Sequence, residues 1–245
     1  MLTQILKIST LIFLLGGCTF SEPFNVKRVY RADTRPPSDV FVNGFKAWGT
    51  NRNFNAHVLG VSGGRGSRDS AFIPTTINQN VANRFATDLM NVSPDNVSYV
   101  YTIRATPNMY EASHTMFTLY SRLNQRVPDI TRQTMAEEAE YSAVANIVPE
   151  QIQSVSIISR LPNGDISVTS QNNPRFIDDS QTQASDLAYP DLSSTITVTP
   201  MLMMGPSGTN INNVLQNPLT GEPSANLPSP SFSLSTTTLS NMLLF

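Results

Sequence analysis

Two glutamates separated by one residue, Glu138 and Glu140, are the first candidates for catalysis in this sequence. On an extended segment, residues two apart project to the same side, so we expect the two carboxylates to lie together. Like charges this close raise the pKa of one carboxyl, which suits Glu138 to act as a base towards an incoming nucleophile. The alternative is that residues 137–140 form a solvated acidic run, the usual role of such a stretch.

A cation and an imidazole precede the acidic pair in the chain. Arg31 lies at the end of a predicted strand, and its planar fork suits two-point contact with a phosphate. His57 stands in a polar segment and offers a hydrogen bond near neutral pH. Without further context, an arginine at a strand end such as Arg31 is usually a solvated rim charge, and a histidine such as His57 is more often a surface residue.

The elements that must position these residues show short, mixed sequence patterns, which predict an α+β fold. Residues 26–31, 98–104, 141–147 and 154–159 read as strands, and 81–90 and 110–123 as helices. Ser38 is placed to cap the N-terminus of a short helix that Gly44 ends, and residues 148–151 form a turn between the last two strands. Because strands and helices do not alternate regularly, a doubly wound parallel sheet is not expected.

Composition removes several classes of function. The chain has 245 residues, of which 40% are hydrophobic and 14% charged, so it can bury one ordinary core. A net charge of -2 gives no basic field for a nucleic acid, so nucleic acid is not expected as a partner. One cysteine and two histidines allow no intrachain disulfide and leave too few ligands for a structural zinc site, so no metal is expected.

Residues 1–18 have the pattern of a signal peptide, with Lys7 before an apolar core too short to span a bilayer. Gly16 and Gly17 precede Cys18, and this order resembles the bacterial lipobox, in which the cysteine is acylated. The alternative is ordinary cleavage after small residues. Both predict secretion, and acylation at Cys18 would be the protein's tether to the membrane of the cell envelope.

The last third of the sequence differs in composition from the rest. All 16 lysines and arginines lie at or before Arg175, and the remainder is rich in Ser, Thr, Asn and Pro. We therefore expect a domain over residues 22–175 and an irregular tail over 176–245. Two apolar runs interrupt the tail, at 201–204 and 242–245, and we expect them to pack on the domain or on a partner.

The run from Val29 to Gly49 closely resembles the opening of the pertussis-toxin-like mono-ADP-ribosyltransferases. Three further blocks follow in that family's order: residues 51–60 with His57, residues 70–76, and residues 138–141. The resemblance covers about residues 26–160 and stops short of the tail. Pro74 departs from the pattern, since the family usually has serine there.

The resemblance implies a fold of two small, mostly antiparallel sheets around an NAD cleft, with NAD as substrate. It implies that Glu140 stabilises the cation formed when nicotinamide leaves, that Glu138 serves the acceptor, and that Arg31 and His57 complete the catalytic set. The residues it implies for NAD binding are Tyr30, Ala32, Arg31, Asp33, Arg35, His57, Thr75 and Thr76. The two threonines could equally be ordinary strand residues.

The chemistry agrees with that assignment. Splitting nicotinamide from ribose passes through a cation resembling an oxocarbenium ion, so a carboxylate is needed near the ribose and a cation near the pyrophosphate. Glutamate at both positions of the pair resembles arginine-directed transferases, which favours arginine on a host protein as acceptor. Cysteine, asparagine and guanine acceptors, an NAD glycohydrolase, and a catalytically silent envelope lipoprotein are the alternatives. The resemblance also raises a B-subunit oligomer as a partner for the tail.

Overall fold

The computed structural model describes residues 25–63 and 66–192. The predicted signal peptide with Cys18 and the apolar runs at 201–204 and 242–245 lie outside these residues.

Within these residues the chain forms nine strands and five α-helices. The strands are β1 Arg28–Asp33, β2 Phe45–Lys46, β3 Phe72–Thr76, β4 Val97–Arg104, β5 Met109–Glu111, β6 Glu140–Val144, β7 Asn146–Ile147, β8 Ile152–Arg160 and β9 Ile166–Asn172. The helices are α1 Pro37–Asn43, α2 Phe54–Val58, α3 Gln79–Val92, α4 Ala112–Arg122 and α5 Asp129–Glu138.

Seven strands form one sheet in the order β5-β6-β3-β1-β4-β8-β9, and β2 pairs with β7 in a second, two-stranded sheet. Every strand pairing in the two sheets is antiparallel. The expected α+β class with antiparallel sheets is therefore confirmed, and the two sheets are unequal in size.

Helix α3 covers one face of the large sheet. Asn78 caps it, because its side chain accepts from the N–H of Asn80. Val81, Phe85 and Leu89 lie four residues apart and pack with Ala32 and Val100 of the sheet. The helix predicted over 81–90 is confirmed and runs two residues further at each end.

The other face of β4 carries Tyr101 and Ile103, which pack in a second core cluster with Phe41, Phe45 and Ile147. Because both faces of this strand are covered, the alternation seen in the sequence separates two buried clusters rather than core from solvent.

The predicted capping residue of α1 was wrong. Pro36, not Ser38, occupies the N-cap, and Pro37 is the first helical residue, where its fixed φ suits the first turn. Gly44 ends the helix as expected, at φ 68°. A Cβ at Gly44 would lie 2.2 Å from the Ile147 carbonyl oxygen, so the approach of β7 requires glycine here.

Two other boundaries differ from the sequence prediction. The helix predicted from residue 110 begins at Ala112, because Tyr110 belongs to β5 and pairs with Ser142. The strand predicted over 141–147 is broken at Ala145, whose left-handed φ of 66° turns the chain away from β6. The two residues that follow form β7 and pair with β2, which builds the second sheet. Residues 149–151 form a single 3-10 turn.

Residues 173–192 cross back over the domain, and we call this segment the strap. Its Ala184 donates a backbone hydrogen bond to Val26 and lies in the cluster around Tyr101. Tyr189 is buried in a third cluster with Phe54 and Phe72. The described part of the predicted tail, residues 176–192, therefore packs on the domain. The division of the chain into a domain and a tail at residue 175 stays a prediction. No helix within 25–63 or 66–192 combines the length and apolar character needed to cross a bilayer.

Candidate active site

The end of β1 places two arginines around one buried aspartate. Asp33 is 0% exposed. Its Oδ2 accepts from Arg31 Nε at 3.2 Å and from Arg35 Nη2 at 2.9 Å, and its Oδ1 accepts from Arg35 Nε at 3.0 Å. The carboxylate thereby fixes the directions of both guanidinium groups, and Arg31 and Asp33 share one side of the strand.

The charges of this group hold one another in place. Burial alone would raise the pKa of Asp33, but the charge of Arg31 and the hydrogen bonds from Arg35 outweigh it, so the pKa lies below its usual range. Burial lowers the pKa of Arg31, and the hydrogen bond to Asp33 raises that of Arg35. Both guanidinium carbons lie over the Phe45 ring, at 5.3 and 5.0 Å from its centre. The result is a fixed cationic group suited to an anionic ligand.

Pro74 lies on β3 between β1 and β6. Because proline has no N–H, Pro74 cannot donate a hydrogen bond to a neighbouring strand. Among the described residues, β1 pairs with β3 only at Tyr30 and Thr76, whereas six residue pairs join β1 to β4. The Pro74 carbonyl accepts from Arg31 Nη1 at 2.8 Å. At this place a side chain of β1, rather than its backbone, bridges the two strands.

His57 and Glu140 meet across the fold. His57 Nε2 lies 2.9 Å from Glu140 Oε1, and both side chains are buried. Helix α2 carries the histidine and is capped by Asn53, whose side chain accepts from Ala56 N–H. Ser70 Oγ accepts from Phe72 N–H and lies 2.9 Å from His57 Nδ1. When the Ser70 hydroxyl donates to Nδ1, the ring proton stands on Nε2 and is donated to the carboxylate.

The expected geometry of the acidic pair was wrong at Glu138. This residue ends α5, Ala139 follows in the left-handed region at φ 46°, and Glu140 begins β6, so the two glutamates are not on one extended segment. The solvated-run alternative also fails for them, because Glu138 is 1% exposed and Glu140 2%.

Burial and the neighbouring Glu140 raise the pKa of Glu138 to about 9. The expected rise in pKa is therefore confirmed. Neither carboxyl oxygen of Glu138 has a hydrogen-bond partner among the described residues. A carboxyl with this pKa is protonated at pH 7, so Glu138 holds a proton in this state and is not yet a base.

The two predicted threonines of β3 brace the segment that carries the glutamates. Thr75 Oγ1 donates to the Tyr141 carbonyl at 2.5 Å, and Thr76 Oγ1 donates to the Glu138 carbonyl at 2.6 Å. Both are 0% exposed, so they act on the backbone around Ala139 and Glu140 rather than on an exposed surface.

The other predicted binding residues of β1 face away from this group. The side chains of Tyr30 and Ala32 pack with α3, in the cluster around Phe85. Any contact that they make with a ligand in the cleft must come from their backbone atoms.

A cleft of about 290 Å³ joins the arginine group to the histidine. The structure brings Arg31, Asp33, Arg35 and His57 together in its wall, and Glu140 contacts that wall through His57. Its lining residues are Arg31, Asp33, Arg35, Phe45, Lys46, Ala47, Trp48, His57, Gly63, Ser70, Phe72, Ile73 and Pro74. The lining combines two guanidinium groups, aromatic rings and the polar side chains of His57 and Ser70, which suits an anionic ligand that also carries a flat ring. Within 25–63 and 66–192, no three His, Cys, Asp or Glu side chains gather as a metal site.

Sequence reasoning missed three residues of the site. Phe45 supplies the ring beneath the arginines, Ser70 orients His57, and Ser142 donates to Glu140. Ser142 had a usable signal, since it stands two residues after Glu140 on a predicted strand and so shares its face. Phe45 and Ser70 had no such signal, because their contacts cross between distant segments.

Comparison with known proteins agrees with this geometry. The family model described as "Pertussis toxin, subunit 1" matches residues 24–209. The chain belongs to the pertussis toxin subunit 1 family. The resemblance seen in the sequence is thereby confirmed, and membership of this family supports NAD-dependent mono-ADP-ribosyltransferase activity.

Relatives in this family cover most of the chain. Pertussis toxin subunit 1 of Bordetella pertussis is 31% identical over 173 residues, which are 66% of this chain and 64% of that protein. The homologue from Bordetella parapertussis is 31% identical over 182 residues, 69% of this chain and 67% of that protein. The matched region thus spans about two thirds of the length of these curated relatives.

Solved structures share the fold. The structure titled EcPltA is 28% identical, superposes with a TM-score of 0.59, and covers 69% of this chain and 97% of its own. Full-length CARDS toxin is 24% identical with a TM-score of 0.53, over 69% of this chain and 32% of its own. The α+β fold with antiparallel sheets is therefore that of ADP-ribosylating toxins.

Proposed function

We propose that this protein transfers ADP-ribose from NAD to a protein side chain and releases nicotinamide. One observation carries the proposal: His57, which holds the buried Glu140 carboxylate, lines the same cleft as Arg31, Asp33 and Arg35. A carboxylate for a developing ribosyl cation and a cation for the pyrophosphate are the two charges that this reaction needs.

The reaction balances with the residues of the cleft. The bond between the ribose C1′ and the nicotinamide nitrogen breaks, and its electron pair stays with nicotinamide, which leaves uncharged. Glu140 stabilises the positive charge on the ribose, while Arg31 and Arg35 hold the pyrophosphate. The acceptor's lone pair then bonds to C1′, and its proton passes to a base.

We propose arginine as the acceptor, with Glu138 as the residue that meets it. The two Glu138 oxygens are buried and lack partners among the described residues, so both can accept hydrogen bonds from an acceptor that reaches them. A guanidinium offers paired N–H groups and a positive charge, which favours the ionised carboxylate. Glu138 would release its proton when the acceptor approaches and then serve as the base that the reaction needs.

The position of Glu138 also favours a second candidate, an NAD glycohydrolase. Glu138 is not among the residues that line the cleft. With the acceptor-side carboxyl shut away, water in the cleft can take the acceptor's place. A catalytically silent envelope lipoprotein is the outcome if NAD is neither bound nor turned over.

The sequence also supports proposals about secretion, membrane attachment and partners. Residues 1–18 support bacterial secretion, and Cys18 supports lipid attachment at the cell envelope. A host protein is the proposed acceptor. The apolar runs at 201–204 and 242–245 support docking of the tail on a B-subunit oligomer.

The deciding experiment follows labelled NAD in a eukaryotic cell lysate. We compare the mature protein with Glu140→Gln, and with Glu137→Gln as the matched control, because Glu137 is an exposed member of the same acidic run. Loss of the Glu140 charge should lower the rate by about 10²-fold or more, and the control should label like the parent. Labelled protein supports the transferase. NAD consumption without labelling supports the glycohydrolase. The absence of both labelling and NAD consumption supports the silent lipoprotein.

A further inference from the structure

The Glu140 carboxylate has a second partner besides His57. Ser142 Oγ donates to Glu140 Oε1 at 2.5 Å, and the serine is 0% exposed. Oε1 therefore accepts a hydrogen bond from Ser142 and also lies 2.9 Å from His57 Nε2. Oε2 has no partner among the described residues. One oxygen of this carboxylate is therefore held by two groups, and the other, which is also buried, is left without a hydrogen bond from the described part of the chain.

Strand register explains why Ser142 can do this. Glu140 and Ser142 stand two residues apart on β6, so both side chains project from one face of the sheet. On β3, Thr76 pairs with Glu140 and Pro74 with Ser142. Pro74 brings no hydroxyl to this face, and the Thr76 hydroxyl is used on the Glu138 carbonyl. The hydroxyl that reaches Glu140 therefore comes from its own strand.

The charged and titratable groups around this carboxylate come from four elements. His57 of α2 touches it, Glu138 of α5 interacts with it electrostatically, and so does Arg31 of β1. Tyr110 of β5 pairs with Ser142. Among these contacts, Ser142 is a neutral donor placed directly on the carboxylate oxygen, so its removal changes the local hydrogen bonding without changing the net charge.

We propose that Ser142 is a positioning residue that fixes the rotamer of the Glu140 carboxylate. The proposal rests on the proposed function in one respect, namely that Glu140 stabilises the ribosyl cation. Ser142 touches neither NAD nor the acceptor in this role. It holds Oε1 in place, so that the carboxylate keeps one orientation during the reaction.

The first test measures kcat and KM for NAD turnover in Ser142→Ala, Ser142→Thr and Ser98→Ala. Ser98 is the matched control, because it is also buried in a strand, on β4, and its hydroxyl has no partner among the described residues. Ser142→Ala should lower kcat by about tenfold with little change in KM. Ser142→Thr should restore most of the lost kcat, and Ser98→Ala should match the parent.

If Ser142→Ala lowers kcat and Ser142→Thr does not restore it, the serine has only a packing role and the proposal is overturned. Equal kcat and KM for Ser142→Ala and the parent overturn it as well.

A second test needs no turnover and separates this proposal from the proposed function. The chain has two histidines, His57 and His114, and His114 is exposed on α4. In histidine-labelled protein, Ser142→Ala should shift the NMR signals of the His57 ring and leave those of His114 unchanged. His57 signals that are the same in Ser142→Ala and in the parent would contradict the proposal. A parent protein that consumes no NAD but shows the His57 shift would refute the proposed function and leave the positioning of Glu140 supported.

Discussion

His57 Nε2 lies 2.9 Å from Glu140 Oε1, and this hydrogen bond joins residues 83 positions apart in the chain. It ties the short helix α2 to the first residue of β6. Ser70 fixes the other ring nitrogen and Ser142 fixes the same carboxylate oxygen, so the pair is held at both ends. Glu140 is therefore oriented before any ligand arrives, and in the proposed reaction this would lower the cost of organising the site.

Arg31→Lys should lower kcat/KM for NAD by about 10²-fold. A lysine ammonium is a single point and cannot reach both Asp33 and the Pro74 carbonyl, as the guanidinium does. Steady-state NAD turnover measures the effect. Arg28→Lys on the exposed start of the same strand is the control and should match the parent. An equal loss in both variants would contradict a specific role for Arg31.

Asp33→Asn should destabilise the fold by about 3 kcal/mol, because it leaves two arginines without the buried negative charge that pairs them. The folded pKa of Asp33 is depressed, so its stabilising contribution is present above the usual aspartate pKa and is lost as the pH falls through the folded value. Chemical denaturation at pH 7 and pH 3 measures both. The difference between parent and variant should shrink in acid, and a constant difference would contradict the assignment.

Glu138→Gln should gain stability relative to the parent as the pH rises from 5 to 9. The unfolded carboxyl ionises near pH 4.5, whereas the folded one holds its proton up to about pH 9. Between these values rising pH favours the unfolded form, by about 1 kcal/mol for each pH unit, and glutamine removes that dependence. Melting curves at several pH values test this, with Glu137→Gln as the control. A gap that is independent of pH would show that Glu138 is ionised in the folded protein.

Tyr189→Ala should destabilise the protein by about 3 kcal/mol, since a buried aromatic side chain is lost. Tyr189 stacks on Phe54 at 5.7 Å and meets Phe72 edge-on at 5.0 Å, and both rings flank His57. NAD turnover should therefore fall with the loss of packing behind α2. Thermal melts and turnover check the two effects. Leu187→Ala, at a strap residue that is 68% exposed, should change neither. Normal stability in Tyr189→Ala would show that the strap is not an anchor.

Much of the fold was readable from local patterns. Helix α3 and strand β4 have strong periodicity, and Gly44 ends α1 because β7 passes too close for any Cβ. Three element boundaries were predicted wrongly, at Ser38, Tyr110 and Ala145. The true boundaries depend on pairing with distant strands or on backbone conformation, and a local sequence pattern encodes neither.

The sequence by itself determined the residue types of the site, their order and the family that they resemble. Only the tertiary structure decided how they are used. It showed that the Asp33 carboxylate pairs with two arginines and that the side chains of Tyr30 and Ala32 pack against α3. It also showed that Glu138 ends a helix and keeps its proton at neutral pH. The physical reason is that burial and pairing set the charge of a carboxyl, and both come from residues far apart in the chain.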